Sequence, residues 1–363
     1  MVVRERPPSP MSHTHTLAPL IESAREHSAS DLFLSEGAIP RIKINGLLHE
    51  IGDAPLEREA VAEFWKLCHA DPDTQRDVDT AYVTPDGVRF RVNLHRHTGK
   101  IGAVLRQIKT RIPDMEELGL PAALLISWIE SPSGFVLVTG PTGCGKSTTL
   151  ASCLEYLNQN FAKHVVTIED PIEYLFEEKR SLFTQREVLT DTESFARGLR
   201  SSVRQAPDVI MLGEIRDGES AKIALQAAET GHLVLSTVHS SGVVDTLDRL
   251  LNLFPSEERV SLLNLLSHQL IGILSQMLLP TADGSRLHAV VEHLQNEGAT
   301  RVWIQEERLT EIQDFLRRSD NPNNLSFMRS LVAAARDGEV AAAVARNAAS
   351  NETEFDRALR GIS

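Results

Sequence analysis

The sequence predicts an α/β protein in two parts. A small α+β domain comes first, followed by a larger domain with a mostly parallel sheet, helices on both of its faces and further helices at the C-terminus. Three observations carry this expectation. Residues 88–95 alternate apolar and polar side chains, the period of a half-buried strand. Residues 135–150 run from an apolar stretch through a glycine-rich loop into a helical pattern. Beyond that loop, apolar strands alternate with helices, which is how a parallel sheet covered on both faces reads in sequence.

The bulk properties narrow the function. A chain of 363 residues is long for one core, so two domains are expected. The net charge of −13 argues against a surface that neutralises phosphates along a duplex, so no nucleic-acid partner is expected. The cysteines, Cys68, Cys144 and Cys153, offer neither a paired-cysteine metal framework nor a disulfide scaffold, as in a reducing compartment. No apolar run reaches the length of a membrane span and no signal peptide is recognisable, so the expected location is cytoplasmic.

Taken in order, residues 1–16 are rich in Pro, Arg, Ser, Thr and His without apolar period and are expected to be disordered, with Met11 as an alternative start. An amphipathic helix from Leu17 leads into strands at residues 31–34 and 41–44, and a helix over about residues 57–69 follows. In the strand at 88–95, Val88, Phe90, Val92 and Leu94 share one face, leaving Arg89, Arg91, Asn93 and His95 on the other. A neighbouring strand from Gly102 adds Arg106. This basic stripe reads either as a solvated sheet face or as a cationic surface offered to a bound nucleotide. Two prolines and a cluster of charge place the interdomain linker at 109–117. The first domain then spans 17–108 and the second 118–363.

The chemistry concentrates at strand ends. Gly140-Pro141-Thr142-Gly143-Cys144-Gly145-Lys146-Ser147-Thr148 fills every fixed position of a phosphate-binding loop. Its glycines let successive N–H groups turn inward around phosphate oxygens, Lys146 adds a point charge, and Ser147 can ligate a magnesium ion bridging the outer phosphates. Cys144 occupies a variable position of the loop and reads as a small tolerated residue. The apolar run from His164 ends in Glu169, Asp170 and Glu173, of which Glu169 and Asp170 are placed to orient the water shell of the metal or hold the attacking water. The apolar run from Asp208 delivers Glu214, the first choice for catalytic base and a further contact to the metal through water. Helix 220–228 ends at Gly231, and the strand after it ends at His239, where an imidazole can sense the γ-phosphate. His232 precedes that strand and belongs to its opposite end.

Together these elements resemble the type IV pilus retraction ATPases, within the wider family of hexameric type II and type IV secretion ATPases. The family's Walker A, aspartate box, Walker B and histidine box are matched by residues 140–147, 167–173, 208–217 and 231–239. Ala-Ser-Asp-Leu at 29–32 and Arg-Phe-Arg-Val-Asn at 89–93 resemble its PAS-like N-terminal domain, and the resemblance runs from residue 17 to about 340. It implies a RecA-like P-loop ATPase domain using ATP and Mg2+, and a homohexamer in which Arg91, Arg96 and Arg106 of the N-terminal domain are candidates to approach the phosphates. Glu214 matches the catalytic glutamate, and Glu169 and Glu173 the acidic box. The implied partners are an inner-membrane pilus platform protein and a paralogous retraction ATPase, and the implied location is peripheral, at the inner-membrane base of a pilus. Neither the extra N-terminal domain nor the four-cysteine zinc site of the extension and secretion ATPases is expected. Residues 299–306 match the retraction motors' Ala-Ile-Arg-Asn-Leu-Ile motif in part, and Met277 stands where the family commonly has arginine. An accessory retraction paralogue, a nucleotide-dependent regulatory subunit and, less in keeping, a pilus assembly ATPase are the alternatives. Helices over 325–359 are expected to pack on the nucleotide domain, with a ring neighbour or the pilus platform as equal alternatives.

Overall fold

The computed structural model describes residues 14–27, 29–44, 47–108 and 111–361. The chain divides into two compact units between Lys109 and Thr110. The tail expected over 1–16 falls outside the described residues as far as His13, and with it Met11. Residues 14–16 are helical, because α1 (Thr14–Glu26) extends a turn further back than expected. Leu17, Ile21 and Ala24 bury one side of it, and seating Leu17 requires the turn around it.

In the first unit, α1 and α2 (Arg58–Leu67) flank β1 (Asp31–Ser35), β2 (Arg41–Ile44), β3 (Leu47–Glu50), β4 (Asp77–Val83), β5 (Arg89–His97) and β6 (Lys100–Gln107). The strands form an antiparallel sheet in the order β3-β2-β1-β6-β5-β4. Phe90, Val92 and Leu94 are buried from one face of β5 into a core with Leu32, Leu34, Leu105 and Trp65, as the alternation predicts. The Trp65 indole donates to the Gly102 carbonyl at 3.1 Å, so its polar atom is satisfied inside the core.

The second unit begins earlier than the linker expectation placed it. Met115 is buried with Leu120, Leu125 and Trp128, so the segment from about residue 115 is core rather than connector; Lys109 and Thr110 lie outside the described residues. After α3 (Ala122–Ile129) come β7 (Gly134–Thr139), α4 (Lys146–Asn160), β8 (His164–Glu169), β9 (Leu182–Glu187), α5 (Phe195–Ser202), β10 (Val209–Leu212), α6 (Gly218–Glu229) and β11 (Leu233–Val238). Then follow α7 (Val243–Asn252), α8 (Ser256–Gln269), β12 (Leu270–Pro280), β13 (Leu287–Gln295), α9 (Ala299–Gln305), α10 (Leu309–Arg318) and β14 (Asn324–Leu325), and finally α11 (Phe327–Arg336), α12 (Ala342–Ala348) and α13 (Glu352–Leu359).

The eight strands order as β14-β13-β12-β7-β11-β10-β8-β9. From β12 through β9 every pairing is parallel, and β13 and β14 close one side antiparallel. A mostly parallel sheet is therefore borne out. Every residue of β7, β10 and β11 is buried, which is why these strands read as unbroken apolar runs. Separate apolar cores lie against the sheet, one with α6, α7 and α8 and one with α3 and α4. The expected C-terminal helices close a third cluster of Leu331, Val340, Ala345 and Phe355, against which Met277 and Leu279 of β12 pack. Met277 thus serves as an apolar contact. Among the described residues no helix is long and apolar enough to cross a membrane.

Candidate active site

Parallel pairing brings four strand ends to one edge of the sheet. Thr139 of β7 pairs with Val238 of β11, and Leu212 of β10 pairs with both Ser236 and Ile168, so Gly140, His239, Gly213 and Glu169 emerge together. At this edge lies a cleft of about 400 Å³ lined by Thr142, Gly143, Gly145, Lys146, Ser147 and Thr148, and by Glu169, Asp170, Glu173, Gly213, Glu214 and His239. Sheet topology, not proximity in sequence, gathers these groups.

The loop has the backbone its glycines permit. Gly140, Gly143 and Gly145 take φ of 146°, 81° and 90°, and Gly145 is the left-handed residue preceding α4. The Lys146 ammonium donates to the carbonyls of Gly140 at 2.9 Å and Pro141 at 3.0 Å. Burial lowers its pKa, while the thiol of Cys144 and the carboxylates of Glu214 and Glu173 act the other way. Gly140, Pro141 and Cys144 form the back of the loop rather than the lining of the cleft. Cys144 is buried, and burial raises its thiol pKa, which suits a space-filling residue more than a reactive thiolate.

A chain of polar contacts crosses the cleft. Lys146 Nζ lies 3.4 Å from His239 Nδ1, and His239 Nε2 lies 3.3 Å from Glu214 Oε2. Burial and the Lys146 charge lower the His239 pKa, so the ring is neutral at pH 7. An ammonium only donates; the neutral ring therefore accepts at Nδ1 and carries its proton at Nε2, facing Glu214. The other oxygen of Glu214 pairs with Arg216, whose guanidinium also reaches Asp170 at 3.4 Å.

Glu169 sits differently. Its carboxyl is buried and pushed up to about 7 by desolvation, which outweighs the hydrogen bonds from Thr167 at 2.7 Å and Gln185 at 3.2 Å. The acidic segment after β8 is pinned from α4: Asn158 donates to the Glu177 carbonyl at 2.8 Å and accepts from the Lys179 N–H at 3.0 Å. Thr148 and Tyr174 share a hydrogen bond of 2.9 Å across the cleft wall. His232 is at the far end of β11, its Nδ1 2.9 Å from the Ala227 carbonyl, a local contact that closes α6.

Arg91, Arg96 and Arg106 belong to the first unit. Arg91 and Arg106 are cross-strand partners on one face, whereas Arg96, five residues from Arg91, falls on the opposite face. The guanidinium of Arg106 holds Asp31 at 2.8 and 2.7 Å. Arg91 and Arg96 make no ion pair among the described residues. The stripe is less basic than it reads in sequence, since β4 sets Asp77 opposite His95 and Asp79 opposite Asn93.

Reading along the sequence overlooks Gln276, Arg216, Gln185 and Tyr174. A signal for Gln276 is present: with Ser275 it interrupts a mostly apolar strand run, and buried amides need partners.

Residues 11–325 match the family model described as "Type II/IV secretion system protein". The chain belongs to that family. Among its relatives, the type IV pilus retraction ATPase PilT of Pseudomonas aeruginosa is 40% identical over 301 residues, covering 81% of this chain and 86% of the relative. The type IV pilus ATPase PilU of the same organism is 36% identical, covering 87% and 84%. The crystal structure of the pilus retraction motor PilT with bound ADP superimposes with a TM-score of 0.86 at 35% identity, over 93% of this chain and 98% of that one. The resemblance read from the four motifs is borne out by these matches, and so is the two-part α/β fold of a secretion ATPase.

For a type II/IV secretion ATPase the donor set suits magnesium. Among the described residues no group of three or more His, Cys, Asp or Glu is arranged to cage a metal alone. The cleft instead offers the Ser147 hydroxyl with the oxygens of Glu169 and Glu214, the hard, incomplete ligand set of a cation that arrives with phosphates.

Proposed function

We propose that this protein is an ATP-hydrolysing motor that drives type IV pilus retraction. The observation that carries the reading is the contact chain Lys146–His239–Glu214, which links the phosphate-binding loop to the carboxylate suited to activate water. In this reading the β- and γ-phosphates lie against the N–H groups of residues 142–148, and Lys146 exchanges its two loop carbonyls for phosphate oxygens. Glu214 accepts the proton of the attacking water as the water oxygen bonds to the γ-phosphorus and the bond to ADP breaks. His239, held as one tautomer between Lys146 and Glu214, registers the γ-phosphate through both neighbours. Ser147, Glu169 and Glu214 would hold magnesium, directly or through water, and when bound it neutralises charge on the outer phosphate oxygens.

The similarity to PilT supports a homohexamer acting on a pilus platform protein of the inner membrane, the subunits being cytoplasmic and peripheral. Arg91, Arg96 and Arg106 are the candidates to approach the phosphates in the ring. A second reading, an accessory motor working with a paralogous ATPase, draws on the similarity to PilU and on Met277. Glu214→Ala is expected to abolish steady hydrolysis while ATP binding persists; unchanged turnover would overturn the assignment. A deletion strain is expected to keep or gain surface pili while losing twitching, and loss of pili would mean assembly instead.

A further inference from the structure

β12 carries one buried primary amide, Gln276, 2% exposed. Both of its polar atoms are spent on the phosphate-binding loop and the helix that follows. Oε1 accepts from the Thr149 hydroxyl at 2.8 Å, and Nε2 donates to the Cys144 carbonyl at 2.5 Å. The backbone of the same residue backs the loop as well, because a Cβ on Gly140 would overlap the Gln276 carbonyl oxygen. A Cβ on Gly145 would come within 3.2 Å of Gln276 Nε2. One residue, more than 120 positions away in sequence, therefore sets the seating of residues 140, 144, 145 and 149.

The bond to Cys144 has a directional consequence. In a trans peptide the carbonyl and the following N–H point in opposite directions. Drawing the Cys144 carbonyl back toward Gln276 turns the Gly145 N–H toward the side of the loop that lines the cleft, where phosphate oxygens are recognised. We propose that Gln276 is a positioning residue of the nucleotide site, fixing the Cys144–Gly145 peptide so that the Gly145 N–H is presented to the phosphates. This rests on the reading of the cleft as an ATP site.

The test uses the full-length protein and a fluorescent ADP analogue together with ATP turnover. Gln276→Leu removes both bonds at similar volume. Gln276→Glu keeps the acceptor for Thr149 but sets an oxygen against the Cys144 carbonyl. Thr149→Val removes only the Oε1 contact. The expected result is an affinity loss of tenfold or more, with KM raised by a similar factor, for both Gln276 variants, and a smaller loss for Thr149→Val. A purely structural role would instead lower the thermal midpoint without nucleotide and leave the affinity of the folded fraction unchanged. Should Gln276→Leu not fold, Gln276→Asn, whose amide is one methylene too short for both partners, is measured in its place. Wild-type binding with Gln276 variants that bind equally well overturns this proposal alone. Failure of the wild-type protein to bind nucleotide overturns the site reading and this proposal with it.

Discussion

Glu169 carries a pH dependence set by its burial. Its folded pKa of about 7 stands above the ordinary 4.5, so the folded state keeps a proton that the unfolded state has released. The associated stability is fully present below about pH 4.5 and is lost as pH rises through about 7, an amount on the order of 3 kcal/mol at most. Glu169→Gln cannot titrate. The stability difference between wild type and this variant is therefore expected to shift in the variant's favour between pH 4.5 and 8, and urea unfolding across that range measures it. A difference independent of pH would mean that Glu169 is not held in this protonation state.

At the scale of elements, the loop between β7 and α4 is the most constrained piece of backbone. Gly140 combines a φ of 146° with contact to the Gln276 carbonyl, so Gly140→Ala meets both strain and overlap. The expected cost is roughly 2 kcal/mol or more of stability, along with loss of nucleotide binding, read by thermal unfolding with and without ADP. Gly143→Ala has open space at its Cβ and is left with the strain of φ alone, so it should lose less.

These elements also show what could be read from sequence. The β7–loop–α4 unit is legible because its signals are local: an unbroken apolar run, then glycines at fixed spacing, then a helix. The convergence of Glu169, Glu214 and His239 is legible as well, because parallel strands must all end on one side. What escapes is anything set by register between distant strands. Asp77 and Asp79 temper the arginine stripe only because β4 pairs with β5 at that offset, and Gln276 meets Cys144 only because β12 lies beside β7. The start of the second unit is hard to read for a related reason: residues 113–117 look like a linker by composition, while the burial of Met115 depends on a core assembled from residues further along.

Across the whole molecule, the arginines of the first unit divide between an observed structural task and a proposed catalytic one. Arg106 pairs with the buried Asp31 from a mostly exposed position, so Arg106→Ala leaves that carboxylate with the Ser30 hydroxyl and is expected to destabilise the fold by about 1 kcal/mol. Arg91→Ala removes an exposed cation with no ion pair among the described residues. It should leave the thermal midpoint in place and, in the proposed ring, cut turnover severalfold or more at saturating ATP. Equal loss of midpoint in both variants, with turnover per folded molecule untouched, would assign both arginines to the fold alone.

The hairpin of β12 and β13 gives the second unit a property that follows from its two faces. Gln276 grips the phosphate-binding loop on one side, and the very next residue, Met277, is seated among the C-terminal helices on the other. One strand thus carries a contact to the phosphate-binding loop and a contact to the C-terminal helices back to back. If nucleotide shifts that strand, thermodynamic reciprocity requires that a partner bound to α11–α13 change nucleotide affinity by the same factor by which nucleotide changes the partner's. In the proposed motor, whatever grips the C-terminal helices would then also tune the grip on nucleotide.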